Sequence, residues 1–255
     1  MTLSKNKIKQ IHSLELKKFR NSTHTFIAEG FKCVGELLKE GFKAQTIIAT
    51  PDWQAPVSKS SFPEYIEVTD DELRKASLLP HPQQVLGIFE IPDTHKDCNL
   101  NTIASEDLCL CLDGIQDPGN LGTIIRTADW FGIHNIICSE NTADAYSPKT
   151  VQATMGSIAR INIYYTNLPS QLSSIDKNIP IYGTLLDGKN IYESQLSRNG
   201  IIVMGNEGNG ISAEIRQLLT DRLLIPPYPN DTPTAESLNV AIATSIICSE
   251  FRRRC

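Results

Sequence analysis

Five polar residues stand out by type and setting: Asn120 and Arg126 in "DPGNLGTIIRTADWFG", Glu207 in "MGNEGNGIS", and Ser237 and Asn239 in "AESLNV". A guanidinium can be offered to a phosphate, and a carboxylate among glycines can serve a ligand, while amides and hydroxyls at such positions are also ordinary helix caps. In the first stretch Pro118-Gly119 makes a turn, and Asn120 has the type of a helix N-cap. Leu121, Ile124, Ile125, Ala128 and Phe131 then fall on one helical stripe, so Arg126 points nearly opposite it. By itself that is a solvated arginine. The functional alternative is a guanidinium offered to a phosphate or to a partner subunit.

The second loop, residues 204–212, follows an apolar run and precedes a helical pattern. Gly205, Gly208 and Gly210 permit close backbone approach and left-handed dihedrals. In open α/β sheets, ligands bind where strands end in such loops. The glycine spacing does not fit the dinucleotide fingerprint, and no Gly-Lys-Ser/Thr follows to make a phosphate loop. Glu207 is either a turn carboxylate or a functional one. The third loop leads from a strand broken at Pro226-Pro227 to a helix beginning near Ser237, where Ser237 and Asn239 have the types of simple caps.

Periodicity supplies the elements that must position these loops. "KIKQIHSLELKKFR" predicts one amphipathic helix. It is followed by strand "HTFIAEG", helix "FKCVGELLKEG", strands "AQTIIAT" and "EYIEVT", helix "DDELRKASL" begun by Asp70 or Asp71, and strand "QVLGIFEIP". This is a small α/β unit. The polar run 93–107 marks a boundary. Beyond it come strand "LCLCLDG", helix 120–131, strand "NIICS" and helix "SPKTVQATMGSIA", with Ser147 as cap and Pro148 at its first position. Strands "INIYYT", "IPIYGTLL" and "GIIVMGN", helix "SAEIRQLLT", strand "RLLIPP" and a last helix ending in "FRRR" complete the chain. Apolar strands alternating with helices predict an α/β domain with a mainly parallel sheet covered on both faces. The expected division is a first domain over 1–95, a linker over 96–106 and a second domain over 107–255.

The 255 residues, 40% hydrophobic and 21% charged, describe an ordinary globular protein with a sizeable core. No apolar run approaches the roughly 18 residues of a membrane span. The basic start "MTLSKNKIKQ" lacks the apolar stretch of a signal peptide, so a cytoplasmic protein without membrane partners is expected. Seven cysteines, an odd number without paired spacing, argue against a disulfide framework. Cys109 and Cys111 read as small core residues. The histidines make no metal-ligand spacing, and no metal is expected. The net charge of −5 hides an asymmetry: residues 1–20 carry six Lys/Arg against Glu15 alone, a net of +5. That suggests a basic face for an anionic partner, with Lys17, Lys18 and Arg20 as phosphate contacts; a solvated helix surface is the plainer reading.

Taken together, "DPGNLGTIIRTADWFG", "IIVMGNEGNGIS" and "IP" followed by "SLNVAIATSIICSEF" resemble, in order, spacing and strand-loop-helix context, the three motifs of the SpoU family of RNA ribose 2′-O-methyltransferases, within the SPOUT superfamily. The resemblance covers about 108–255. The N-terminal stretch resembles, more weakly, the ribosomal-protein-like substrate-binding domain that often precedes this catalytic domain. The family implies an α/β fold with a trefoil knot, S-adenosylmethionine as methyl donor, a homodimer whose active site is completed across the interface, and an RNA substrate. Ribosomal RNA is favoured, with transfer RNA and a catalytically inactive RNA-binding member as alternatives. By motif position it places Asn120, Arg126, Glu207, Ser237 and Asn239 in the active site. It puts Gly205, Ile225, Leu238, Leu185 and Asn206 at the cofactor. Family mechanisms cast the arginine as a base; since arginine stays protonated, phosphate binding and electrostatic activation of the hydroxyl is the expectation here. The segment 226–236 departs from the family by its extra length and its lack of a glycine.

Overall fold

The computed structural model describes residues 3–93, 99–229 and 235–254. In chain order the first elements are α1 (Lys5–Ser13), α2 (Lys17–Thr23), β1 (Thr25–Glu29), α3 (Phe31–Lys39), β2 (Ala44–Ala49), β3 (Glu64–Glu67), α4 (Asp70–Ala76) and β4 (Val85–Glu90). Then follow α5 (Leu100–Glu106), β5 (Leu108–Asp113), α6 (Pro118–Trp130), β6 (Asn135–Ser139), α7 (Pro148–Thr154), β7 (Asn162–Thr166) and α8 (Leu168–Ser173). The last are β8 (Ile181–Asn190), β9 (Gly200–Gly205), α9 (Ala213–Arg216), β10 (Asp221–Leu224) and α10 (Val240–Arg253).

Two compact units result, and the chain does not divide between them at one boundary. One unit comprises the chain up to Asp93 together with Asp144–Arg160; the other ends at Ala143 and resumes at Ile161. The first carries a sheet of order β1-β4-β2-β3, antiparallel except for β2 with β3. Its core joins Ile11 and Leu14 to Ile27, Ile48, Leu73, Leu86 and Ile88. Thr69, not Asp70 or Asp71, caps α4, through a capping box with Glu72.

The predicted helix over 7–20 breaks into α1 and α2, and Arg20 gives the reason. Its Nη1 donates to the carbonyls of Leu14 (2.7 Å) and Glu15 (2.8 Å), holding the corner between the two helices. Its Nε and Nη2 donate to Oδ2 of Asp144 at 3.1 and 2.6 Å. Arg20 is 3% exposed, so the expectation that it contacts RNA phosphates is corrected: its donors are spent inside the fold. The 144–160 segment is anchored to this unit by Tyr146, whose ring lies 4.9 Å from that of Phe26, and by Arg160, which donates to Glu36 at 2.6 Å. The single boundary expected between the domains therefore needs a second term, because α7 packs with the N-terminal unit.

The second unit holds six parallel strands in the order β10-β8-β9-β5-β6-β7. Every residue of β5 is buried, including Cys109 and Cys111. The second half of the expected linker folds as α5, capped by Asn99, with Leu100 and Ala104 in the core; the rest of 94–98 lies outside the described residues. The unexpected α8 places Leu168 and Leu172 in the same core. Helix α10 packs on α6, where Thr127 and Ser245 share a hydroxyl contact of 3.1 Å.

Near the end of α10, Glu250 is 6% exposed and accepts from Arg253 (2.8 Å) and Arg254 (2.7 Å), which hold its carboxyl at about 2. A folded value below the unfolded value of about 4.3 stabilises the fold above that pH, and the stabilisation is lost as pH falls towards 2. Glu250→Gln is expected to lower the melting temperature by roughly 2–4 °C at pH 7, with the gap closing near pH 2. Melts of both proteins across that range check it.

Candidate active site

The three loops converge at the carboxyl ends of β5, β9 and β10. Asp117 caps α6 by accepting from the backbone N–H of Asn120 at 2.8 Å, so Asn120 is not the cap its type suggested. That frees its side chain. Asn120 Nδ2 donates to Glu207 Oε1 at 2.9 Å, and its Oδ1 accepts from Asn239 Nδ2 at 3.0 Å. Asn239 Oδ1 in turn accepts from the N–H groups of Ala241 (3.0 Å) and Ile242 (3.3 Å), capping α10. The helix therefore begins at Val240, not near Ser237.

The polarity of this chain of amides is fixed at both ends. Helix N–H groups demand an acceptor, and a carboxylate demands a donor. A carboxamide, with an acceptor oxygen and a donor nitrogen, satisfies both, and the two asparagines do so in series. For Asn239 the capping and the functional readings hold together. Asn120→Asp sets a second carboxylate beside Glu207 and removes its donor. The expected result is a loss of roughly 10²-fold in turnover with the fold retained, measured as kcat alongside a thermal melt.

Loop 206–210 is closed on itself. Asn206 and Gly210 exchange backbone hydrogen bonds at 3.0 and 2.9 Å. Asn206 Oδ1 accepts from the N–H groups of Gly208 (2.9 Å) and Asn209 (3.0 Å), while its Nδ2 donates to the Gly114 carbonyl at 2.7 Å. Asp113 accepts from the Ser212 N–H at 2.7 Å. The ends of β5 and β9 are thereby tied together.

A cavity of about 720 Å³ opens between residues 184–187, 204–210, 223–225 and 236–238. All five residues expected at the cofactor, Leu185, Gly205, Asn206, Ile225 and Leu238, line it, as do Glu207 and Ser237. Asn120 and Asn239 are linked to it through Glu207. Arg126 does not line it: it is exposed, with no hydrogen bond or ion pair among the described residues. In the long third loop, residues 230–234 lie outside the described residues; Ile225 and Pro226 are half-buried, and 227–229 and 235–239 are exposed.

Sequence reasoning missed Asp187, Arg216 and Glu236, which also line the cavity. No motif flags them; the long β8 brings residue 187 there, and α9 brings residue 216. The described lining carries the carboxylates Asp187, Glu207 and Glu236 against Arg216, an excess of negative charge suited to a cationic ligand. Met204, Leu223, Ile225 and Leu238 supply an apolar wall for a flat ring. Among the described residues no group of His, Cys, Asp or Glu is placed to hold a metal ion.

These features match known proteins along the whole chain. Residues 107–249 match the SpoU rRNA methylase family, and residues 5–87 match the MRM3-like substrate binding domain. The chain is 32% identical over 248 residues to the 23S rRNA (guanosine(2553)-2′-O)-methyltransferase RlmP of Bacillus subtilis, covering 96% of each protein. Among solved structures it is similar to a TrmH-family protein from Porphyromonas gingivalis, with TM-score 0.88, 38% identity and 100% of both chains covered. It is also similar to an AdoMet-bound rRNA methyltransferase from Sinorhizobium meliloti, with TM-score 0.81, 31% identity and coverage of 100% of this chain and 97% of the other. A six-stranded parallel sheet, a cavity lined by the second and third motif loops with the first joined to it through Asn120 and Glu207, and a match over residues 107–249 place the protein by descent: the chain belongs to the SpoU rRNA methylase family.

Proposed function

We propose that the protein transfers a methyl group from S-adenosylmethionine to a ribose 2′-hydroxyl of ribosomal RNA. The observation that carries this reading is the convergence of Asn120, Glu207 and Asn239 into one hydrogen-bonded chain beside a cavity lined by all the residues expected at the cofactor. The cavity volume suits a ligand of this size, and the negative lining suits a sulfonium. Similarity to RlmP makes guanosine riboses of large-subunit RNA the first positions to map.

When bound, S-adenosylmethionine supplies a methyl carbon already activated by its positively charged sulfur. The chain must align the attacking oxygen and help it lose its proton. Asn120 fixes one oxygen of Glu207, and Oε2 remains without a partner among the described residues, available to the substrate side. Ser237 offers a hydroxyl at the rim. Arg126 binds the flanking phosphate and lowers the hydroxyl pKa electrostatically; a group that stays protonated at neutral pH is a poor base.

The reading includes a homodimer. Arg126 faces solvent on α6, close in sequence to Trp130, which is 84% exposed, and Ile242 on the packed α10 is 56% exposed. Such apolar exposure beside an unpaired cation suits burial against a second copy, which would bring Arg126 to the partner's cavity. The reading also includes the trefoil knot the family resemblance implies, the N-terminal unit as the RNA-holding domain with Lys17 and Lys18 on its surface, and a cytoplasmic site of action. No described helix is long and apolar enough to cross a membrane.

The test uses ribosomal RNA from cells lacking the protein. Labelled methyl transfer to that RNA, giving one new alkali-resistant linkage, is the expected result. Absence of S-adenosylmethionine uptake by folded protein in calorimetry, with or without RNA, overturns the reading.

A further inference from the structure

We infer that Phe19, with Leu16, Lys17 and Lys18, forms a binding strip for unpaired RNA nucleotides on the N-terminal unit, the ring stacking on a base and the lysines meeting its phosphates. This rests on the reading above that the partner is RNA, and it adds which form of RNA the strip recognises and through which residue.

The observation is an inverted helix. A short helix on a globular surface normally turns apolar residues inward and charges outward. Of the residues of α2 only Arg20 is buried, and it is a guanidinium tied to Asp144, Leu14 and Glu15. Leu16 is 51% exposed and Phe19 38% exposed. The helix is thus pinned from inside by a charge and shows its apolar groups to solvent. Such a breach of the local rule marks a surface kept for a partner.

Charge decides which partner. The exposed side chains between residues 5 and 19 include Lys5, Lys9, Lys17 and Lys18 against Glu15 alone, while Lys7 is engaged with Glu64. Neither Lys17 nor Lys18 has an ion pair among the described residues. Lys18 instead holds its ammonium 4.9 Å from the centroid of the Phe19 ring. An aromatic ring with a cation at its face, on a turn of helix that also exposes Lys17, meets the needs of a nucleotide: a flat base and, one sugar away, a phosphate. Bases offer their faces only where they are unstacked, so the strip favours single-stranded or looped RNA over duplex.

The experiment measures fluorescence anisotropy of the full-length protein with an unstructured RNA of about twelve nucleotides and with a duplex of equal length. Phe19→Ala is expected to weaken single-strand binding about tenfold, with duplex binding and the salt slope unchanged. Phe19→Trp should restore it. Replacing Lys17 and Lys18 by Ala should lower the single-strand salt slope by about 1.4. Equal single-strand affinity of Phe19→Ala and the parent overturns the inference, as does an equal loss for both RNAs. A change in oligomeric state in Phe19→Ala with RNA binding intact also overturns it and marks a protein-docking face. Calorimetry with S-adenosylmethionine on the same proteins keeps the outcomes apart. Absence of cofactor uptake by the parent refutes the methyltransferase reading, whereas normal uptake together with unchanged single-strand RNA affinity of Phe19→Ala refutes only the strip.

Discussion

Arg126→Lys should lose roughly 10²–10³-fold in methyl transfer while taking up S-adenosylmethionine normally. The side chain is exposed, touches no described residue through a hydrogen bond or ion pair, and lies away from the cavity wall, so neither the fold nor the cofactor site depends on it. Lysine keeps the charge but not the planar fork that grips a phosphate through two donors. Near-normal turnover would contradict both bidentate phosphate binding and a special arginine base. The same residue tests the dimer. Arg126→Ala and Glu207→Gln are each expected to be inactive alone. If the arginine serves the partner's cavity, each mixed dimer has one intact site, and co-expression should restore about a quarter of the parental rate. Failure to recover activity, with mixed dimers demonstrated, assigns Arg126 to its own subunit.

Gly205→Ala is expected to destabilise the protein by about 3 kcal/mol or more and to abolish cofactor uptake. A Cβ at this position would lie 2.3 Å from the carbonyl carbon of Gly210 and 2.3 Å from the nitrogen of Ile211. Both are backbone atoms, held there by the Asn206–Gly210 pair, and cannot swing aside as a side chain does. Gly210, at φ +67°, is the second residue the loop requires as glycine. Gly208, whose Cβ would meet only Asn206 Oδ1 at an ordinary 3.6 Å, should accept alanine with little change. Equal melting temperatures of the Gly205 and Gly208 variants would show that the close approach is not what the loop depends on.

Much of the catalytic unit was legible because its signals are local. β5 and β9 are apolar runs, the turns carry glycine and proline, and residues 237–239 lie at a helix start, so chain order alone puts them on loops at strand ends. The candidate site residues could be grouped only through resemblance, since nothing local says that Asn120 meets Glu207, 87 residues away. The cap of α6 was misplaced because Asp117 and Asn120 are both good capping types, and which one serves depends on where the helix starts. Arg20 was unreadable for a related reason. Sequence counts it as one more cation in a basic arm, and only Asp144, 124 residues later, makes it internal. Removing residues 1–20 is therefore not a clean test of RNA binding, because it also deletes the core residues Ile11 and Leu14. Substitution at Lys17 and Lys18 asks the same question without that damage.

The return of residues 144–160 to the N-terminal unit has a consequence for anyone recombining these enzymes. A recognition module cannot be exchanged by a single splice near residue 95, because Asp144 and Tyr146, which seat Arg20 and Phe26, are encoded some fifty codons downstream. A chimaera that inherits the head from one parent and this excursion from another would be mismatched at an ion pair and an aromatic contact. Moving this unit from one enzyme to another intact requires transplanting both stretches as a matched set.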